Sequence, residues 1–319
     1  MKENSKISNI TIIGNTTWGQ AIATLINKEK AGVQILCRTE LEAKNRINKL
    51  DKLKSLPSTI QLSSDISTLG NSELIILAFP SQSMRSNLNI IYNNLNQNHK
   101  FLIASKGIEK TSGKRLSEVL TEEITFIKEK NISILSGPNL AKEIYENKST
   151  STVIASKNIS LLKNIKSIIE SNKFKIYLSD DTIGVELGGA LKNIVTLGAG
   201  ICDGLNIGNN LKGAFISIAF SEIVKLALLA GAKTVTISGL SGLGDTLASS
   251  YSPISRNRLA GQYLAEGHSI TTINKKINNI IEGLDTLYGA KELSKKLNTD
   301  HTFINLLIDI FNQKKHPKE

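Results

Sequence analysis

The feature that most constrains the fold of this 319-residue chain is a change of hydrophobic period near residue 180. Before it, short apolar runs (Asn9–Ile13, Val33–Cys37, Leu74–Phe79, Phe101–Ala104, Ile132–Leu135, Thr152–Ala155 and Phe174–Leu178) alternate with helical stretches such as Trp18–Asn27, Ser81–Leu95 and Ile159–Ser171. Strands that read as continuous apolar runs between helices are buried on both faces, which predicts a mainly parallel, doubly wound sheet. After Leu178 the strand pattern stops. Thr182–Gly200, Leu211–Leu229, Arg256–Glu266, Glu282–Leu297 and Thr302–Phe311 all carry helical spacing. The expectation is an α/β protein with a Rossmann-type domain over residues 1–181, followed by an all-helical domain over residues 182–319.

Composition removes several functions. With 40% hydrophobic and 21% charged residues the chain falls in the ordinary globular class, and its length allows two cores. The polar N-terminus MKENSKIS leads straight into a strand, and Glu186, Lys192 and Asn193 interrupt the longest apolar helix short of the roughly 20 residues of a membrane span. A cytoplasmic protein without membrane insertion is expected. Cys37 and Cys202 lie far apart and the four histidines are scattered, so neither a disulfide framework nor a metal site is expected. The net charge of +11 comes from lysines spread through every segment, with few arginines and 5% aromatics, which argues against nucleic acid; a positive field does steer small anions.

The helix from Thr182 to Gly204 carries Gly184, Gly188, Gly189, Gly198 and Gly200, each costing roughly 1 kcal/mol against alanine inside a helix, so something must approach its backbone closely. Lys192 is its lone cation and stands three and four residues after Gly189 and Gly188. Two readings stay open: a tight helix–helix contact, or a groove cleared for a ligand beside the lysine. Earlier, Gly14-Asn-Thr-Thr-Trp-Gly19 turns from the first strand into the first helix like the dinucleotide fingerprint GxGxxG, with Thr16 in place of the central glycine. At the end of the second strand Arg38 stands where NAD sites usually hold a carboxylate, which favours NADPH over NADH. Lys106 follows the fourth apolar run at the carboxyl rim of the sheet. Ser136-Gly-Pro-Asn139 follows the next in the same way, with Asn139 expected to cap a helix starting at Leu140. The segment Gly239–Asp245 reads as a flexible turn, and Ser255-Arg256-Asn257 opens a helix whose N-cap, free amides and guanidinium suit a phosphate.

In this order and spacing, Ser136-Gly-Pro, Gly184-Val-Glu-Leu-Gly-Gly-Ala-Leu-Lys-Asn193, Gly242-Leu-Gly-Asp245 and Ser255-Arg-Asn257 resemble the bacterial NAD(P)-dependent glycerol-3-phosphate dehydrogenases, from about Ile10 to about residue 290. The resemblance implies interconversion of sn-glycerol 3-phosphate and dihydroxyacetone phosphate by hydride transfer with NADP or NAD, supplying glycerol 3-phosphate for phospholipid synthesis. It implies Lys192 as general base, with Lys106, Gly137, Asn139, Asp245, Ser255, Arg256 and Asn257 around a small phosphate substrate. Cofactor contacts are implied for Gly14, Thr17, Trp18, Gly19, Arg38, Lys106, Ala141, Arg256, Ile280 and Glu282, and a homodimer is left open. The chain departs from the family at Thr16, at Ile218 where an arginine is usual, and beyond Asp300, where the match fades. The rival readings are a two-domain dehydrogenase of another hydroxy acid or phosphosugar, and a catalytically silent dinucleotide-binding protein.

Overall fold

The computed structural model describes residues 6–49, 51 and 55–318. Two compact units emerge: one holds the residues up to Phe79, Ser83–Ser105 and Ser117–Thr182, the other Pro80–Gln82, Lys106–Leu116 and everything from Ile183.

The first unit is built in the order β1 (Asn9–Ile13), α1 (Thr17–Leu25), β2 (Gly32–Leu36), α2 (Glu40–Lys44), β3 (Ile60–Ser63), β4 (Leu74–Leu77), α3 (Met84–Ile91), β5 (Lys100–Ile103), α4 (Leu116–Glu123), β6 (Ile132–Ser136), α5 (Ala141–Tyr145), β7 (Thr150–Ala155), α6 (Ile159–Ile169) and β8 (Phe174–Ser179). These strands form one sheet in the order β3-β2-β1-β4-β5-β6-β7-β8. Its first six positions follow the doubly wound dinucleotide-binding order. Pairing is parallel throughout except between β6 and β7, where Ile134 faces Ala155 and Ser136 faces Val153 in antiparallel register. The central strands are covered on both faces: every residue of β4 and β6 is buried, Ser133 and Ser136 of β6 included. The edge strands are less covered: β8 alternates buried and exposed residues over Phe174–Tyr177, and in β3 only Ile60 is fully buried.

The second unit is helical: α7 (Thr182–Gly204), α8 (Gly208–Leu229), α9 (Thr234–Ile237), a π-helical turn over Leu240–Gly244, α10 (Asp245–Tyr251), α11 (Arg256–Ala265), α12 (Ile270–Ile277), α13 (Glu282–Lys296) and α14 (Thr302–Phe311). Its core gathers around α7, whose Leu187, Leu191, Ile194 and Val195 are essentially inaccessible. By length and apolar content α7 does qualify as a membrane-spanning helix, despite its three polar interruptions. Its apolar window is nonetheless entirely buried inside the unit, which makes it a core helix. One of those interruptions, Glu186, is buried beside Arg115 at 3.1 Å, so the charge is matched where it enters the core. The segment Gly239–Asp245, read as a flexible turn, is instead a widened helical turn over Leu240–Gly244 that runs directly into α10 at Asp245.

Candidate active site

The first unit provides a nucleotide-shaped rim at the carboxyl end of β1. Gly14 adopts φ +115°, and a Cβ there would lie 2.6 Å from the Ala78 carbonyl oxygen; at Gly19 it would lie 2.1 Å from the Gly14 carbonyl oxygen. The first and third glycines of the fingerprint are therefore required by the fold itself. Thr16 sits between them in extended conformation as the N-cap of α1. Its hydroxyl accepts from the Gly19 amide at 2.9 Å and donates to the Ala78 carbonyl at 2.8 Å. The threonine thus replaces glycine's close approach with a cap. It leaves the first-turn amides of Thr17 and Trp18, which no helix satisfies internally, for an anion.

Around this rim, Trp18 donates its indole N–H to the Ala104 carbonyl at 2.9 Å, tying α1 to the end of β5. Arg38 is exposed just beyond β2, and its backbone amide donates to Glu42. Gly137 packs its backbone on β7, where a Cβ would meet the Thr152 Cα at 2.9 Å. Asn139 departs from expectation. The residue capping α5 is Leu140, without a side-chain bond, while the Asn139 amide donates to the Ser151 carbonyl at 3.3 Å and accepts from the Thr152 hydroxyl at 2.8 Å. A neighbouring strand outcompetes the local capping rule. Ala141 begins α5 and packs against the sheet unit's core. A φ-positive glycine, a cradle that a Cβ would fill, first-turn amides and an arginine at β2 fit a phosphorylated dinucleotide.

The second unit holds a buried charge cluster. Lys192 of α7 donates to Asp245 Oδ1 at 3.0 Å and to the Ser249 hydroxyl at 2.5 Å, and Lys106 donates to Asp245 Oδ2 at 2.7 Å. The lysine side chains are 9% and 19% exposed and the aspartate 3%, so solvent screens the three charges little. Burial is the main influence on Lys192, with Lys106 and Arg256 adding to it and Asp245 opposing; together they lower its pKa to about 8. For Asp245 burial is also the largest single influence and would raise the carboxyl. Lys106 and Lys192 jointly outweigh it and hold the group below the ordinary carboxylate range. Ser249 is absent from the residues expected around the substrate, although it lies one helical turn after Asp245 and so on the same face of α10.

Beside this cluster, α11 begins as its sequence suggests. Ser255 is the N-cap, and its hydroxyl accepts from the Arg258 amide at 3.5 Å. Exposed Arg256 donates to the Asn279 side chain at 2.6 Å. Asn257 donates to Asn193 at 2.8 Å and accepts from the Gly283 amide at 3.0 Å, so part of its amide is already engaged in joining α7 to α13. Glu282 accepts from both the backbone amide and the hydroxyl of Ser81. Burial pushes its carboxyl up, opposed by those two bonds and by Arg256. Ile280 is 44% exposed just before it. Asn193 and Ser81 were missed among the expected residues, though each adjoins a legible signal: Asn193 follows Lys192, and Ser81 follows the apolar run of β4. Ile218, expected to depart from the family at an arginine position, is 67% exposed on α8.

A sheet unit with a dinucleotide rim, followed by a helical unit with a buried lysine of lowered pKa, defines a nicotinamide-dependent dehydrogenase. Comparison with known proteins makes the assignment specific. Residues 9–162 match the family described as NAD-dependent glycerol-3-phosphate dehydrogenase N-terminus, and residues 181–319 match the C-terminus of the same family. The chain belongs to the NAD-dependent glycerol-3-phosphate dehydrogenase family. It is 36% identical over 320 residues to the glycerol-3-phosphate dehydrogenase [NAD(P)+] of Dehalococcoides mccartyi, covering 98% of this chain and 89% of that one. Identity to the enzyme of the same name from Halalkalibacterium halodurans is 32% over 318 residues, covering 98% and 92%. A crystal structure of glycerol-3-phosphate dehydrogenase from Coxiella burnetii superposes with a TM-score of 0.91 at 26% identity, covering 98% and 97%. A D-mandelate dehydrogenase shares the fold alone, with a TM-score of 0.65 at 15% identity over 96% of this chain and 98% of that one.

Proposed function

We propose that the protein interconverts sn-glycerol 3-phosphate and dihydroxyacetone phosphate with NAD(P), and that Lys192 moves the proton on the C2 oxygen. The observation that carries this reading is the buried Lys192–Asp245–Lys106 cluster. A free lysine holds its proton too tightly to act as a base near neutrality, whereas one whose pKa is lowered to about 8 exchanges it in either direction. Asp245 keeps the ammonium form accessible and aims Nζ, and Ser249 fixes it from a second side. Lys106 adds positive charge where a carbonyl oxygen gains negative charge during reduction. Ser255, Arg256 and Asn257 at the start of α11 receive the phosphate through the N-terminal amides and the guanidinium.

The nicotinamide supplies the hydride chemistry when bound. On the chain's side, Gly14, Thr17, Trp18 and Gly19 shape the pyrophosphate rim of the first unit, and the family resemblance adds Ala141, Lys106, Ile280 and Glu282 as further nucleotide-binding residues. Arg38 selects NADPH through its 2′-phosphate. NADPH preference drives the reductive direction, so in the cytoplasm the product is glycerol 3-phosphate for phospholipid synthesis. The test is NADPH oxidation with dihydroxyacetone phosphate by the wild type and by Lys192→Met. The variant is expected to bind NADPH normally while kcat falls by about 10²–10⁴, the usual contribution of a positioned acid–base group. A folded variant that binds NADPH and keeps most of the wild-type kcat refutes the role of Lys192.

A further inference from the structure

A second buried charge cluster lies in the helical unit, apart from the one assigned to proton transfer. Asp203, near the end of α7, accepts from Lys212 of α8 with both carboxylate oxygens at 2.8 Å, and from Arg258 Nε of α11 at 2.6 Å. Their side chains are 20%, 6% and 18% exposed. Lys212 also donates to the Ser250 carbonyl at 3.1 Å and lies 4.7 Å over the Tyr251 ring. Both of those residues belong to the end of α10.

The two helices joined through Asp203 carry the two halves of the proposed chemistry. α10 bears Asp245 and Ser249, which hold Lys192, and Ser250 is the next residue. α11 bears Ser255, Arg256 and Asn257, and Arg258 is the next residue after these. Along the glycine contact between α11 and α7 little fixes the register, which at the start of α11 is held by the Asn257–Asn193 bond. The contact is backbone on backbone, since a Cβ at Gly200 would lie 1.8 Å from the Arg258 carbonyl oxygen and one at Gly261 would lie 1.9 Å from the Leu197 carbonyl oxygen. A glycine seam sets how closely two helices approach, but it has no interdigitating side chains to stop one sliding along the other. A carboxylate held from two further helices opposes such sliding, because Lys212 of α8 and Arg258 of α11 converge on one rigid group of α7.

We propose that Asp203, by holding Lys212 and Arg258 together, is a positioning residue that sets the spacing between the proton-transfer lysine and the phosphate-binding start of α11. Turnover then gains from the substrate's phosphate only while this clamp is intact. The inference rests on the reading of Ser255–Asn257 as the phosphate site. Removing the carboxylate's charge leaves both cations short of a partner and lets α11 move against α10, and a displacement of about 1 Å at a substrate-positioning group costs about 10²-fold.

The test compares kcat/KM for dihydroxyacetone phosphate and for unphosphorylated dihydroxyacetone, both followed by NADPH oxidation, in the wild type, Asp203→Asn and Arg258→Lys. The wild type is expected to favour the phosphorylated substrate strongly. In Asp203→Asn that preference falls about 10²-fold, while the value for dihydroxyacetone stays at the wild-type level, because that substrate never uses the spacing. Arg258→Lys keeps the charge balance of the cluster and so tests the same point should Asp203→Asn fail to fold; it loses part of the preference in the same direction. Parallel losses for both substrates, or an undiminished preference in both variants, overturn the proposal and leave the phosphate site standing. A wild type that handles the two substrates equally overturns the phosphate site and this proposal with it.

Discussion

Neutralising Asp245 separates its electrostatic role from mere architecture. In Asp245→Asn the shape is kept but the negative charge 3.0 Å from the Lys192 ammonium is gone. At that distance and an effective dielectric constant of about 20 the attraction is about 5 kcal/mol, and opposite charges this close move a pKa by about 1–3 pH units in practice. The sign follows from which form is favoured. The carboxylate stabilises the lysine's charged form, so its loss lets burial and the repulsion from Lys106 and Arg256 act unopposed, and the pKa falls from about 8 towards about 5–7. Reduction of dihydroxyacetone phosphate needs the protonated amine, so its kcat/KM should decline above about pH 8 in the wild type and above about pH 5–7 in the variant. Oxidation of glycerol 3-phosphate needs the neutral amine, and its acid limb should move down by the same amount. Profiles of kcat/KM report the free enzyme, the state to which these pKa directions apply. A limb that stays near pH 8, or moves up, would refute the assignment of the titrating group to Lys192 or of the field to Asp245.

Two further outcomes bear on the nucleotide rim. Arg38→Ala should weaken NADPH binding in a fluorescence titration and leave NADH almost untouched; equal losses would place the 2′-phosphate elsewhere. Thr16→Gly restores the fingerprint's usual glycine but removes a cap and a bond to the Ala78 carbonyl, so thermal unfolding should show a loss of about 1 kcal/mol, and an unchanged or raised Tm would show that the hydroxyl does not hold the turn.

The sheet was legible because burial on both faces leaves an unmistakable apolar run, and β3, the strand that was missed, lacks that mark. β3 is four residues long, Ile60-Gln-Leu-Ser63, and only Ile60 is fully buried at the sheet edge, so it reads as loop. The reversal of β7 has no local signature, since Thr152–Ala155 is buried whichever way the strand runs; the turn through α5 and the register with β6 decide it. Asn139 obeyed its local preference only until Thr152 offered a partner across the sheet. At the site, the residue types that carry charge were found from sequence, but their pairing was not. Nothing in spacing alone says that Lys106 and Lys192 share one carboxylate, or that Asp203 joins Lys212 to Arg258, because these partners lie from 9 to 139 positions apart.

The glycines of α7 left two readings open, a tight contact within the protein or a groove cleared for a ligand. They do mark a backbone that something approaches closely, and that something is the protein. A Cβ at Gly188 would lie 3.1 Å from the Gly242 amide nitrogen and the Ser241 carbonyl, so the π-helical turn rests directly on this face of α7. Gly198 likewise faces the Phe215 ring, and Gly200 faces α11. The space over Gly188 is therefore filled by a backbone segment of the same unit. That segment runs straight into Asp245, the first residue of α10, and Lys192 stands one turn after Gly188 on the same face of α7. Close seating of the turn is what brings the carboxylate and Ser249 within hydrogen-bonding reach of Nζ. Gly188 thus bears on the proposed chemistry by admitting the backbone that carries the lysine's partner, the carboxylate that opposes the lowering of the Lys192 pKa by burial.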